Sequence, residues 1–231
     1  MTRKIAISDI HGCNKTFQKL LFETLNLQKN DQLYLLGDYI DRGPDSKGVL
    51  DTIQNLITNG YYVRCLLGNH EQLLLQAYNE PDSASLWLRN GGIQTLISFD
   101  VSSIAQLPHE YISFISKMEL YIDIPHYYLV HAGFNFTNGT NFLGDTTAML
   151  WIRNWYKDVN YPLLRGKRII HGHTPQGKYL LEQQMEITHI PNFPVNIGAG
   201  CVYKGKFEDA GHLCALNLTD GSVYFEPNID M

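Results

Sequence analysis

Five short polar clusters contain the residue types that could do chemistry here: Asp9-Ile10-His11-Gly12, Gly37-Asp38-Tyr39-Ile40-Asp41-Arg42-Gly43, Gly68-Asn69-His70-Glu71, His131-Ala132-Gly133 and His171-Gly172-His173-Thr174. Asp9 and His11 stand two residues apart, so in an extended segment both side chains can face one side. Together the clusters offer carboxylates, a carboxamide and imidazoles but no thiolate. A mixed oxygen and nitrogen set of this kind suits Mn²⁺, Fe or Zn²⁺ better than Ca²⁺, which prefers oxygen alone. It also holds more ligands than one tetrahedral Zn²⁺ takes. Two cations sharing a carboxylate is the economical reading. Taken singly each cluster is ordinary: Asp-x-His can be a surface turn, Asn-His-Glu a helix start with Glu in its first turn, and Gly-His-Thr a turn. Jointly, five glycine-flanked clusters call for a common cause.

That cause is their placement after strands. Ile5 to Ser8, Leu33 to Leu36, Tyr61 to Leu67, Tyr127 to Val130 and Arg168 to Ile170 read as short buried strands, and each runs into one of the clusters. Phe17, Leu20, Leu21 and Leu25 share one helical face, with Asn14 as the expected cap. Val49, Leu50, Ile53, Leu56 and Ile57 mark a second helix, capped by Asp45 or Ser46, and Leu73, Leu74 and Ala77 a third. This alternation predicts a parallel sheet covered by helices. Residues from Asp82 to about Lys117 read as helical, a cap beside the site. Strands are expected again over Glu119 to Ile124, Tyr179 to Glu182, Met185 to His189 and around Cys214 and Tyr224. The fold class is therefore mixed α/β (α+β), a central two-sheet β-sandwich flanked by helices, as one domain over residues 1–231. In open α/β sheets ligands bind beyond the carboxyl ends of strands, where all five clusters fall.

Composition narrows the function classes. The chain has 231 residues, 44% hydrophobic and 18% charged, which suits a folded domain and argues against disorder. Its apolar runs are far too short for a membrane helix, and no leader-like apolar region follows Met1. A net charge of −5 without a Lys/Arg run disfavours extended nucleic-acid binding. Cys13, Cys65, Cys201 and Cys214 have no metal or redox spacing and read as reduced thiols of a cytoplasmic protein.

The clusters resemble those of the calcineurin-like metallophosphoesterases, and more narrowly the phosphoprotein phosphatase branch with its bacterial and phage lambda phosphatase type. The Asp41-Arg42-Gly43 and Asn69-His70-Glu71 blocks carry most of that specificity. Trp87-Leu88-Arg89-Asn90-Gly91-Gly92 and Trp151-Ile152-Arg153 are also similar to the lambda type. The resemblance implies a dinuclear centre. Asp9 and His11 would bind one cation, Asp38 would bridge, and Asn69, His131 and His173 would complete the other. His70, oriented by Asp41, would be the general acid, and Arg42, Arg153 and Asn90 would hold the substrate. Two divalent cations are expected, Mn²⁺ first and Fe or Zn²⁺ as alternatives. Val195-Asn196-Ile197-Gly198-Ala199-Gly200 resembles the closing strand and turn, but Asn196 stands where the lambda type carries an acidic residue. His171 is expected to be structural or substrate-facing rather than a ligand.

The implied activity is hydrolysis of phosphomonoesters by a metal-activated water, with phosphoserine or phosphothreonine in proteins as substrate. Symmetrical hydrolysis of dinucleoside tetraphosphates, or another phosphodiesterase reaction, is the alternative; among the 14 Tyr and 3 Trp some could stack on a base. A non-catalytic metal-binding module is disfavoured, because ligands, acid and phosphate arginines are all present.

Overall fold

Period-two alternation sends neighbouring side chains of a strand into different layers, and the strands of this protein follow it closely. The computed structural model describes residues 2–187 and 192–231. Strand β1 (Lys4–Ile7) leads into α1 (Asn14–Lys19), which a wider helical turn extends to Thr24. Then come β2 (Gln32–Leu35), α2 (Ser46–Thr58), β3 (Tyr62–Cys65) and α3 (Asn69–Asn79). The short helices α4 (Ala84–Trp87), α5 (Ile93–Ser98) and α6 (His109–Ile115) make up the middle. The second half holds β4 (Tyr121–Ile124), β5 (Tyr127–Val130), α7 (Thr146–Trp151), α8 (Tyr161–Leu164) and β6 (Arg168–His171). It closes with α9 (Lys178–Glu186), β7 (Val195–Asn196), β8 (His212–Asn217) and β9 (Val223–Pro227).

Two sheets result, ordered β3-β2-β1-β8-β9 and β4-β5-β6-β7. In the first, β1, β2 and β3 run parallel and β8 lies antiparallel to both of its neighbours; in the second, β5, β6 and β7 run parallel. Ala6, Tyr34 and Leu36 point from the first sheet toward Leu129, Ile170 and Val195 of the second. Ile5, Ile7, Leu33 and Leu35 point the other way, onto Phe17, Val49, Leu50 and Ile53 of the helices. The outer face of the second sheet places Tyr128, Val130 and Ile169 against Phe134, Phe142 and Trp155. Each fully buried aliphatic or aromatic side chain contributes roughly 1.5–3 kcal/mol. The sandwich thus has three apolar layers, and its parallel strands deliver their following loops to one rim.

Three expectations from the sequence fail. Tyr179 to Glu182 and the first two residues of Met185 to His189 are not strands but α9, which ends at Glu186; Ile187 follows it outside any element (Thr188 and His189 lie outside the described residues). Only Leu181 of this segment is buried, while Tyr179 and Leu180 are exposed, so its apolar residues do not reflect a two-sided strand. The run of Glu and Gln that follows favours helix. Asn14 does not cap α1 either. It is the first helical residue, and its side chain donates to Asp45 Oδ2 at 2.8 Å and accepts from Thr52 Oγ1 at 2.9 Å. Asp45 does cap α2, accepting from Gly48 N at 2.8 Å.

Ile170 is fully buried between the sheets. Ile170→Ala is expected to lower unfolding free energy by about 2–5 kcal/mol, read from the urea midpoint. A loss below half a kcal/mol would mean that the sheets are not close-packed there.

Candidate metal centre and its surroundings

The loops after the strands are held by one another. His11 N donates to Asp38 O and Gly12 N to Tyr39 O, both at 2.8 Å, so the loop after β1 lies along the loop after β2. Gly172 N donates to His131 O at 2.8 Å and aligns the loops after β5 and β6. The two sheets meet where His173 N donates to the Asp9 carboxylate at 3.0 and 3.1 Å. Gly172 makes that approach possible, since a Cβ there would fall 2.1 Å from Asp9 Oδ2. Six of the sequence-selected residues have positive φ: Asp9 (56°), His11 (45°), Asp38 (57°), Asp41 (71°), Arg42 (71°) and His173 (66°). For residues other than glycine this conformation costs roughly 1–2 kcal/mol each. The surrounding hydrogen bonds offset that cost and turn the side chains inward.

Glu71, in the first turn of α3, does much of this holding. Its buried carboxylate accepts from Asp38 N (2.9 Å), Gly68 N (3.0 Å), Tyr39 N (2.8 Å) and Ile40 N (3.2 Å). Burial pushes its carboxyl up, to about 8, against these donors, which favour the charged form. Sequence reasoning passed over Glu71 as a helix-start residue. Its role depends on the loop after β2 lying against the start of α3, which spacing in the sequence does not show.

Four lone-pair atoms converge behind this loop. His131 Nδ1 donates to Leu36 O at 2.8 Å, which leaves Nε2 as an acceptor. That Nε2 lies 3.0 Å from Asn69 Oδ1, 3.2 Å from His173 Nδ1 and 3.5 Å from Asp38 Oδ1, and His173 Nδ1 lies 2.9 Å from Asn69 Oδ1. Protons on these groups can satisfy only some of the contacts, whereas a divalent cation would satisfy all four. Burial holds both rings in the neutral form that metals bind, with His131 lowered and His173 down to about 2. His173 Nε2 is buried with no partner among the described residues. A neighbouring group shares Asp38: donor atoms of His11, Asp38 and His70 lie within 4.8 Å of one another, as do those of Asp38, His131 and His173. His11 Nδ1 donates to Ile40 O at 2.9 Å, so its Nε2 too is an acceptor, 3.4 Å from Asp38 Oδ2. Arg42 Nη1 donates to that nitrogen at 2.7 Å, a cation on the lone pair a metal would use. Asp9 stands outside both groups, its carboxylate taken by Ser8 Oγ at 2.5 Å and by His173 N. Burial raises the Asp38 carboxyl to about 6, a cost that an adjacent cation removes. The donor set therefore fits two cations sharing Asp38.

His70 Nδ1 lies 2.7 Å from Asp41 Oδ2. Trp87 Nε1 (3.0 Å) and Thr95 Oγ1 (2.6 Å), from α4 and α5, also donate to that carboxylate. Trp87 and Thr95 fix the Asp41 carboxylate, which holds the imidazole by Nδ1 and leaves its Nε2 free beside the candidate ligand cluster. Burial lowers His70 to about 4 and raises Asp41 to about 7. Arg153 is exposed and donates to Thr174 Oγ1 at 3.0 Å, beside His173. Asn90 turns its amide nitrogen back onto Leu86 O at 2.8 Å, and it faces a separate cavity shared with Arg42. His171 is tied up by Tyr156 Oη at 2.6 Å and Gly172 O at 3.0 Å, away from the ligand cluster. Asn196 donates to Thr174 O at 2.7 Å and accepts from Gly198 N at 2.8 Å. An acidic side chain could not make the first of these bonds, so the amide stitches the His173 loop to the strand that follows.

The calcineurin-like phosphoesterase profile matches residues 2–200. An asymmetrical bis(5′-nucleosyl)-tetraphosphatase of Oceanobacillus iheyensis is 26% identical over 231 aligned positions, covering 87% of this chain and 84% of that protein. Serine/threonine-protein phosphatase 1 of Salmonella typhimurium is 41% identical over 86 residues, 37% of each chain. The chain spans between 24% and 37% of the length of three of the curated relatives it matches. The crystal structure of a cold-active protein-tyrosine phosphatase of a Shewanella species superposes with a TM-score of 0.66 at 18% identity, over 98% of this chain and 80% of that one, which shows the shared fold.

Glu71→Gln places an NH₂ group against backbone N–H donors, and we expect a loss of about 1–3 kcal/mol in denaturant unfolding together with weaker metal retention. Unchanged stability and metal content would remove Glu71 from the support of the site.

Proposed function

We propose that this chain, which belongs to the calcineurin-like phosphoesterase family, cleaves phosphate P–O bonds with water at a dinuclear centre. One observation carries the reading: buried lone pairs that demand cations lie directly beside the His70–Asp41 pair. Asp9 and His11 would hold one ion, Asp38 both, and Asn69, His131 and His173 the other. When bound, such ions supply a hydroxide at neutral pH and offset the charge of the phosphate. Mn²⁺ is the proposed loading ion, with Fe and Zn²⁺ compatible with the same donors.

The protein's own groups do the rest. His70, its Nδ1 proton held by Asp41, presents Nε2 to the leaving oxygen and returns a proton there. A dianionic phosphate alongside strengthens the hold of the ring on that proton, against the burial that weakens it. Arg42 would give up His11 Nε2 to a bound cation, which would free Nη1 for a phosphate oxygen. Arg153, free to swing from Thr174, offers a second planar fork; lysine would not reproduce such directed pairs. The bond that breaks is P–O, water adds to phosphorus, and the leaving alkoxide or phosphate departs protonated. Four free cysteines, three of them buried, suit the reducing cytoplasm.

Two substrate classes compete for this site. Phosphoserine or phosphothreonine in proteins is supported by the Trp87–Gly92 and Trp151–Arg153 blocks and by the local match to the Salmonella phosphatase. Dinucleoside tetraphosphates are supported by the Oceanobacillus relative, which aligns over nearly the whole chain.

His70→Asn should cut turnover of an alkyl phosphate by about 10²–10⁴-fold while metal content stays unchanged. Loss of a metal ion would make His70 a ligand and refute the acid role. Arg153→Ala should lower kcat/KM for an aryl phosphate about ten-fold or more, the worth of a charged hydrogen bond, with metals retained. Unaltered kinetics would show that Arg153 does not reach the phosphate.

A further inference from the structure

Beside the ligand cluster, with Arg42 as the shared wall, lies a surface cavity of about 320 Å³. Arg42, Arg89, Asn90, Gln94, Tyr203 and Lys206 line it, and it has no Asp or Glu side chain in its walls. Three positive charges around so small a space contrast with a chain of net charge −5. Among the described residues none of the three forms an ion pair with a carboxylate. Like charges gathered without a side-chain carboxylate repel, and a focused positive wall attracts an anion.

The arrangement is built into the backbone. Gly91 has φ of 114°, and a Cβ there would come 2.8 Å from Arg42 N, so only glycine lets the Arg89–Gly91 turn lie against the Arg42 loop. Arg42 N donates to Gly91 O at 3.2 Å and fixes the contact. Tyr203 supports the cations, its ring centroid 5.4 Å from Arg42 Cζ and 5.7 Å from Lys206 Nζ. Met231 also lines the cavity, and its main-chain carboxyl is engaged by a fourth cation, Lys204 Nζ, at 2.8 Å, so it does not offset the other three. Arg42 and Tyr203 also line the narrow space next to Asp9, His11 and His173, so the two spaces meet at Arg42.

We propose that Arg89 and Lys206 form a second anion subsite, which takes the phosphoryl group adjacent to the one held at the metals. The favoured substrate class is then a phosphoanhydride chain, as in a nucleoside polyphosphate. Arg42 touches both spaces, so the two anionic groups must be close-coupled; a bridging oxygen between two phosphorus atoms meets that demand better than a peptide with separate acidic residues. This rests on the hydrolytic reading above and sides with the second of its two substrate classes.

The test is calorimetric titration of the Mn²⁺-loaded protein with orthophosphate and with imidodiphosphate, whose P–N–P link resists cleavage, with bound metal measured after each run. The intact protein should prefer imidodiphosphate about ten-fold or more, as one or two added charge-assisted contacts require. The Arg89→Ala/Lys206→Ala double variant should lose that preference and keep its affinity for orthophosphate. Arg89→Lys combined with Lys206→Arg should retain it. Both positions are exposed, and thermal melts confirm folding; Lys206→Ala alone should give an intermediate preference. No preference in the intact protein, or an undiminished preference in the double variant, overturns the subsite. Turnover of an aryl phosphate is scored separately. Arg89- and Lys206-dependent preference without turnover supports the subsite and removes the hydrolytic reading, whereas turnover with no preference removes the subsite alone.

Discussion

Four buried polar atoms that face one another dominate the structure. Asp38 Oδ1, Asn69 Oδ1, His131 Nε2 and His173 Nδ1 crowd within hydrogen-bonding distance of their neighbours, while the His131 proton is spent on Leu36 O. Such an arrangement is costly without a positive charge at its centre. The rest of the fold can be understood as the means of holding it together. Parallel strands in both sheets end at one rim, backbone at positive φ turns Asp9, His11, Asp38 and His173 inward, and glycine at 172 lets the two sheets touch.

Around this cluster stand groups that belong to neither candidate metal-binding set. The Glu71 carboxylate gathers four backbone N–H groups of the loop that carries Asp38 and of the turn before α3. Asp41 is anchored by Trp87 and Thr95, which explains why the helices of the middle segment are needed at all: they immobilise the partner of His70. Asn196 ties the His173 loop to the strand beyond it with an amide proton that a carboxylate lacks. Each contact restricts a side chain that would otherwise have to be ordered when substrate binds.

How much of this could be read from sequence follows from the physics of each signal. The strands and the clusters after them were legible because two-sided burial gives short continuous apolar runs and the clusters repeat at each strand end. The place of Asp38 in both candidate metal-binding groups was visible only through resemblance, as spacing says nothing of which loops touch. Segment 178–186 was misread, because Tyr-Leu-Leu has strand character and a helix with one buried residue leaves almost no amphipathic pattern; its Glu and Gln content was the better guide. Asn14 was misassigned as a cap because its true partners, Asp45 and Thr52, lie on another helix. Glu71 and the Arg89–Lys206 wall were not identified, since each depends on which loops lie side by side.

Paired cations bridged by Asp38 are the central claim, and the magnetic state of the bound metal tests it most directly. Electron paramagnetic resonance of the protein titrated with Mn²⁺ should show two ions per chain, spin-coupled through the shared carboxylate. A single ion per chain, or two that give only the signal of isolated Mn²⁺, would contradict it.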